Sequence, residues 1–395
     1  ESDRFADAVI ITLPDRLHFD AACTFLKLGY HVLLEKPMTT TPGEISRLVE
    51  LAKACRGILQ ICHVLRYTPF YRKIHALVES GAIGEVVTIH MSENVAYYHY
   101  AHSYIRGNWR NKQDSGPLIL TKSSHDMDIL YWIADSLPQM ISSFGSQQFF
   151  GKQHKPQGAP GRCTDGCPVA STCLFYAPRI YLDITPLLQR TIASSSLPGK
   201  IIRKIAIKYP QSRNFYPFKL INNYRGWPVN ILDPDPTYLN RQKALQLGPY
   251  GRCVYDIEDH TVVDNQVVNI EFENGITATF NLHGHSSEER REIRIDGTEG
   301  TIEGRFSFVG TRLQLTNTHS NKKTVYEFPD DTGGHGGGDQ GVLQDFLKNI
   351  KEKNMQPATN ASVSQVSHLM AFAADVSRLQ QQTIKFQDYL TDVSP

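Results

Sequence analysis

Three short apolar runs, each followed by an amphipathic helical stretch, open this chain and leave few folds available to it. "DAVIITL" precedes "PDRLHFDAACTFLKLG", "HVLLEK" precedes "TPGEISRLVELAKACRG", and "ILQICHV" precedes "TPFYRKIHALVESGAIG". The runs are β-branched and continuous, as strands covered on both faces of a parallel sheet are. The helical stretches carry their own punctuation. Thr41 is a candidate N-cap with Pro42 and Glu44 behind it, and Gly29 is a stop signal. Repeated strand and helix predict a doubly wound parallel sheet.

From about residue 84 the pattern changes. "GEVVTIHMSEN" reads as a longer strand, "VAYYHYAHSYIRGNWRN" as an aromatic loop rich in His and Arg, and "SSHDMDILYWIAD" as an amphipathic helix. Periodicity is weak between about 150 and 255, as in an insert. Alternation returns in "QVVNIEFENGITATFNLHG", whose "ENG" is a hairpin signal, and continues through "REIRIDGTEGTIEGRF", "TRLQLTN" and "KTVYEF". Such strands make an α+β domain around a large open, mainly antiparallel sheet. Two helices, about 339–353 and 361–382, follow. The expected division is 1–82 for the parallel-sheet domain, 83–355 for the α+β domain with its insert, and 356–395 for a C-terminal helix and tail.

Charge and cysteine usage narrow the class. The 41 basic residues balance 40 acidic ones across 395 residues, so nothing points to nucleic acid or an anionic membrane surface. No apolar run reaches the roughly 18 residues of a membrane span, and "ESDRFADAVI" has no signal-peptide pattern. The seven cysteines are too few and uneven for a disulfide framework, so a reducing, cytoplasmic location is expected.

The sheet lacks one expected feature. A nucleotide-binding sheet opens with a strand, a Gly-rich turn and a helix N-terminus for the pyrophosphate. No G-x-G-x-x-G lies between a strand and a helix, and "GHGGGDQG" at 334–341 lacks the strand before it and the G-K-S/T ending of a phosphate loop. It reads as a loop with Asp339 near a helix N-cap. The chain therefore reads as a fold entered midway, with the glycine turn expected upstream of Glu1. "HVLLEKPMTT" sets Glu35, Lys36 and Pro37 at a strand's C-terminal end, where open α/β sheets bind ligands.

The ordered set "TLPDRLHFDAA", "GYHVLLEKPM", "GAIGEVV", "SGPLILTKSSHDMDIL" and "EFENGITATF…IRIDGTEGTIEG" resembles the Gfo/Idh/MocA oxidoreductases over nearly the whole chain apart from the insert. The resemblance implies a Rossmann domain for NAD or NADP and an open-sheet domain that carries substrate residues and builds homo-oligomers. It implies that Lys36 of E-K-P reaches the nicotinamide ribose and the reacting hydroxyl, and that a cis peptide bond precedes Pro37. Thr12, Leu13, Pro14 and His18 match the family's preceding strand-end motif near the cofactor, with Glu35 and Pro37 beside the lysine. Arg66 and Tyr67 follow the third strand and are expected toward the same cleft, Arg66 on the cofactor and Tyr67 on the substrate.

In "TKSSHDMD", His125 and Asp128 lie three apart on one helical face. The family pattern places an Asp four residues before this His. Thr121 stands there instead, with Lys122 next to it. His125 is the expected proton acceptor, Lys122 a polarising cation or a desolvated base, and Asp128 a substrate contact. Arg106 and Trp109 of the aromatic loop suit a sugar ring, which has apolar faces and hydroxyl edges. Cys163, Cys167, Cys173 and Cys253 form C-x3-C-x5-C plus a distant fourth, a candidate structural zinc site stapling the insert. The expected activity is hydride transfer between NAD(P) and a hydroxyl or ketone of a sugar, polyol or derivative. A glycosidase working by transient oxidation and elimination, and a non-catalytic sensor of the same fold, are the alternatives.

Overall fold

The computed structural model describes residues 5–182, 201, 205, 225–307, 310–329 and 335–393. Strands β1 (Ala8–Ile11), β2 (His31–Leu34) and β3 (Leu59–Ile61) lie side by side and parallel, with Val9 opposite Val32 and Val32 opposite Leu59. Parallel neighbours need long crossovers. Helices α1 (His18–Lys27) and α2 (Pro42–Ala54) make them, and α3 (Pro69–Glu79) leaves the sheet. Gly29 turns the chain out of α1 with φ +81°, a conformation that a side chain disfavours. Pro42 starts α2 as expected, but the Thr41 side chain makes no cap bond. Thr39 Oγ1 instead donates to Thr41 O at 2.7 Å and accepts from Thr41 N–H at 3.3 Å.

The second sheet has nine strands in the order β11-β10-β9-β8-β4-β7-β6-β5-β12. They are β4 (Val86–Ala96), β5 (Pro138–Ser146), β6 (Asn265–Phe272), β7 (Thr277–Ser286), β8 (Arg290–Gly297), β9 (Gly300–Ser307), β10 (Arg312–Asn317), β11 (Lys323–Glu327) and β12 (Ile384–Lys385). Only β4 and β7 pair in parallel; every other pair is antiparallel. Ile89, Met91, Glu93 and Val95 of β4 point inward while His90 is exposed, so one sheet face is covered and the other faces solvent. Helix α4 (Ser124–Ala134) lies against β4 on the covered face.

Two expectations change here. The stretch read as a loop is helical, with an α-turn at Tyr97–Tyr100 and a π-helical turn at Ala101–Arg106. The C-terminal segment is not a tail. After α5 (Tyr238–Leu247) and α6 (Gly338–Glu352), the long α7 (Ala361–Gln380) packs against α2 of the first sheet and against α4 and β5 of the second. Met370, Ala371, Ala373 and Ala374 are fully buried, so α7 is part of the common core, and a further helix α8 (Phe386–Val393) follows. No described helix is long and apolar enough to cross a membrane.

Residues 183–200, 202–204 and 206–224 of the expected insert lie outside the described residues. In its described parts, Phe150 and Phe175 meet edge to face at 5.1 Å, with Tyr255 beside them. Cys163, Cys167, Cys173 and Cys253 surround a void of about 10 Å³ shared with Pro156, Ala159, Pro160 and Val169. Burial pushes the Cys173 and Cys253 thiols up. Among the described residues no group of three or more His, Cys, Asp or Glu is arranged to hold a metal ion. The structural-zinc expectation therefore has no support in the fold.

Candidate active site

The C-terminal ends of β1 and β2 form the floor. His18 at the start of α1 is buried, with its ring nitrogens 2.7 Å from Pro37 O and 2.8 Å from Leu13 O, so it ties the two strand-end turns together. The Lys36–Pro37 bond is cis, as the resemblance implied. Lys36 reaches across and donates from Nζ to Thr121 O at 2.5 Å. That bond joins the E-K-P turn to the segment just before α4. Burial lowers the Lys36 amine below its usual pKa, with the Asp15 carboxylate opposing the shift. Asp15 is buried too, accepts from Trp109 Nε1–H at 2.9 Å, and is pushed up by desolvation.

The opposite wall is built on ionic pairs. Lys122 Nζ lies 3.0 Å from Glu93 Oε1 and 3.1 Å from Glu289 Oε1. Arg291 Nε lies 2.7 Å from both Glu93 Oε2 and Asp126 Oδ1, and His99 Nδ1 lies 2.9 Å from Glu289 Oε1. Opposite charges thus alternate through a site where each alone would be costly to bury. Burial acts to lower Lys122, but the Glu289 and Glu93 carboxylates outweigh it and hold the ammonium above its usual range. The two carboxylate contacts favour the polarising cation over the desolvated base.

His125, in the first turn of α4, is 5% exposed, and its Nδ1 is buried without a hydrogen-bond partner among the described residues. Burial, then Lys36, His63, His335 and Arg291, keep its pKa well below the usual histidine range. The ring is therefore neutral at neutral pH and able to accept a proton.

Lys36, Lys122 and His125 line one cavity of about 530 Å³, together with Thr12, Leu13, His18, Glu35 and Trp109. Tyr98, His99, Tyr104 and Trp227 make its aromatic side. Other expected residues go elsewhere. Arg66 donates two bonds of 2.6 Å and 2.7 Å to Asp128, and this buried pair lies away from the cavity. Tyr67 O–H donates to Asp345 at 2.9 Å, anchoring α6. Arg106 is 1% exposed and donates to the Arg252 and Phe175 carbonyls. Pro14 and Pro37 shape the turns, Pro14 O accepting from Leu17 N–H at 2.8 Å and Pro37 O facing His18.

Sequence reasoning missed Asp15, Glu289, Arg291 and Trp227, all on the cavity wall, and gave Glu93 no role. "SSEERREIRI" looks like a solvated charged turn, and Trp227 stands in the weakly periodic insert, so neither carried a local signal. His335 and Asp339 border the cavity as well, joined at 2.8 Å.

Three family descriptions match the chain. They are the NAD-binding Rossmann fold of the oxidoreductase family at residues 2–63, the GFO/IDH/MocA C-terminal domain at 71–165, and the family's C-terminal alpha/beta domain at 234–377. YteT of Bacillus subtilis, named as an oxidoreductase, is 25% identical over 353 residues, which is 86% of this chain and 72% of that one. Inositol 2-dehydrogenase 2 of Saccharopolyspora erythraea is 30% identical over 132 residues, only 33% of this chain and 36% of that one. A levoglucosan dehydrogenase solved with NADH and levoglucosan superposes with a TM-score of 0.64 at 14% identity, covering 96% of this chain and 80% of that one. The three matched segments, in order and on the two sheets just described, place this chain in the Gfo/Idh/MocA oxidoreductase family.

Proposed function

We propose that this chain supplies the nicotinamide end and the substrate site of an NAD(P)-dependent oxidoreductase acting on a hydroxyl or ketone of a sugar or polyol. The observation that carries the reading is the meeting of Lys36 and His125 on one cavity, tied by the bond from Lys36 to Thr121. The floor fits the nicotinamide end of the cofactor. It lies at the C-terminal edge of a parallel sheet and offers the Thr12 and Leu13 turn, Glu35 and the Lys36 amine. When bound, NAD(P) supplies the hydride acceptor or donor.

The chain's own groups handle the proton and the charge. Lys36 sits where its ammonium stabilises a hydroxyl oxygen as its proton leaves. His125 accepts that proton through Nε2, the ring nitrogen across from the buried Nδ1. Lys122, held cationic by its two carboxylates, orients the substrate oxygens. Tyr98, Tyr104, Trp109 and Trp227 offer flat faces for the C–H side of a ring. The names of the inositol and levoglucosan dehydrogenases support a cyclic polyol or sugar as substrate. The open face of the nine-stranded sheet supports assembly into homo-oligomers.

The test is NADH or NADPH formation by the full chain against a panel of cyclic polyols and aldoses. Turnover is expected with at least one, and Lys36→Ala and His125→Ala are each expected to lower kcat by about 100-fold or more. Absence of NAD(H) and NADP(H) binding by calorimetry, or full activity in both variants, would overturn the reading. Hydrolysis of an aryl glycoside without net NADH would favour the elimination chemistry instead.

A further inference from the structure

Behind the cavity wall three histidine rings stand in a row. His125 and His63 have ring centroids 5.8 Å apart, and His63 and His368 5.4 Å. His368 is fully committed: its Nδ1–H donates to Ser364 O at 2.7 Å, and its Nε2 accepts from Met38 N–H at 3.0 Å. His63 is different. It is 0% exposed, and neither ring nitrogen has a hydrogen-bond partner among the described residues. Its Nε2 lies 3.8 Å from Asp128 Oδ1, whose carboxylate holds Arg66 in a two-pronged pair. With His125 Nδ1, three buried nitrogens on two adjacent rings are orphaned. Buried polar atoms are seldom left so, and an ordered water with two or more polar partners is the usual resolution.

His125 has no carboxylate within ion-pair distance among the described residues, and the Thr121 hydroxyl reaches only Leu118 O at 3.5 Å. An imidazole that takes a proton at Nε2 needs its Nδ1–H held by something, or the ring can turn or switch tautomer. We propose that His63 is the positioning residue of His125: through one bridging water it accepts the Nδ1–H of His125, with its own Nε2–H turned to Asp128. The lone pair of His125 Nε2 is then kept toward the substrate hydroxyl. As His125 takes the hydroxyl proton, no proton leaves the row; the new positive charge is spread toward the Asp128 carboxylate.

The surroundings agree with two neutral rings. Burial first, then the charges of Lys36, His63, His335 and Arg291, lowers His125. Burial first, then Arg66 and Lys36, lowers His63, with Asp128 and His368 its other titratable neighbours. The consequence for catalysis rests on His125 being the base; the measurement does not.

The experiment reads the His125 tautomer in the full chain, labelled with 15N in its histidine rings, without substrate or cofactor. Two-bond 1H–15N correlation separates the tautomers, and the His125 signals are those missing in His125→Gln. We expect the neutral Nδ1–H form, although a free imidazole side chain favours Nε2–H. His63→Phe keeps the ring volume without its nitrogens and is expected to move His125 to Nε2–H or a mixture. His63→Asn keeps an acceptor and is expected to retain Nδ1–H. An Nε2–H signal for His125 in the unsubstituted protein would overturn the proposal even if no His63 variant folds, as would an unchanged tautomer in His63→Phe. Since no turnover is involved, either result stands apart from success or failure of the redox assay.

Discussion

Lys122 shows how neighbours decide what one side chain does. It is 11% exposed and touches two carboxylates, one of them, Glu93, fully buried. Removing the cation would leave Glu93 to Arg291 alone and Glu289 to His99. Breaking one side of a buried pair costs about 3–5 kcal/mol, far more than a surface pair is worth. Lys122→Met is therefore expected to lower the unfolding free energy, measured by denaturant titration, by that amount. Adding Glu93→Gln should recover part of the loss, because the uncompensated charge goes with it; a double-mutant cycle measures the recovery, and strict additivity would contradict the network. Asp15 acts on Lys36 in a similar way. Its carboxylate holds the buried amine up against desolvation, so Asp15→Asn should lower the Lys36 pKa further. If Lys36 works as the ammonium, the alkaline limb of kcat/KM then moves to lower pH, and an unmoved limb would remove Asp15 from the site.

The helical stretch 97–106 carries the aromatic side of the cavity, and its place depends on a bare strand position. A Cβ on Gly284 of β7 would fall on the Tyr100 ring, and Tyr100 stacks on Tyr104 at 5.4 Å. Overpacking costs about 1–3 kcal/mol where backbone or ring must yield. Gly284→Ala should lower Tm and raise KM for the sugar or polyol more than it lowers kcat, because the displaced element binds rather than reacts. The same element marks where the sequence stopped being legible. Parallel strands, hairpin and α4 followed from periodicity and turn residues, because each has one buried face or two. The 97–106 stretch is buried nearly all round and ends in a π-turn, so no 3.6-residue stripe exists to be seen. That Lys36 and His125 line one cavity could be anticipated because each sits in a motif at an element's end. Arg66 and Asp128 were misplaced because only the fold shows that two well-positioned charged groups satisfy each other. Glu289 and Arg291 became site residues only when β8 met β4 and the segment before α4.

Across the whole molecule, buried histidines tie stability to pH. His368 joins α7 to the E-K-P turn, His102 packs beneath the insert against Tyr250 at 4.7 Å, and His260 meets Gln147 beside Phe150. Burial lowers their pKa values to about 3 for His368 and His102 and about 4 for His260. The unfolded chain titrates them near about 6.5. Below that value the unfolded state binds protons that the folded state refuses, so stability falls as pH falls, down to the folded-state values. At about pH 5.5 each histidine costs about 1.4 kcal/mol, roughly 4 kcal/mol for the three. Glu93 and Asp128 are shifted up by burial and act in the opposite direction, so they offset part of the histidine effect. Tm measured from about pH 8 downward should hold steady to about pH 6.5 and then drop by several degrees by about pH 5.5. In His368→Gln the drop should shrink by about a fifth, since burial lowers His63 and His125 as well and one of five such rings no longer titrates. A flat Tm across that window would mean that these rings are protonated in the folded protein, which would also undo the neutral row behind His125.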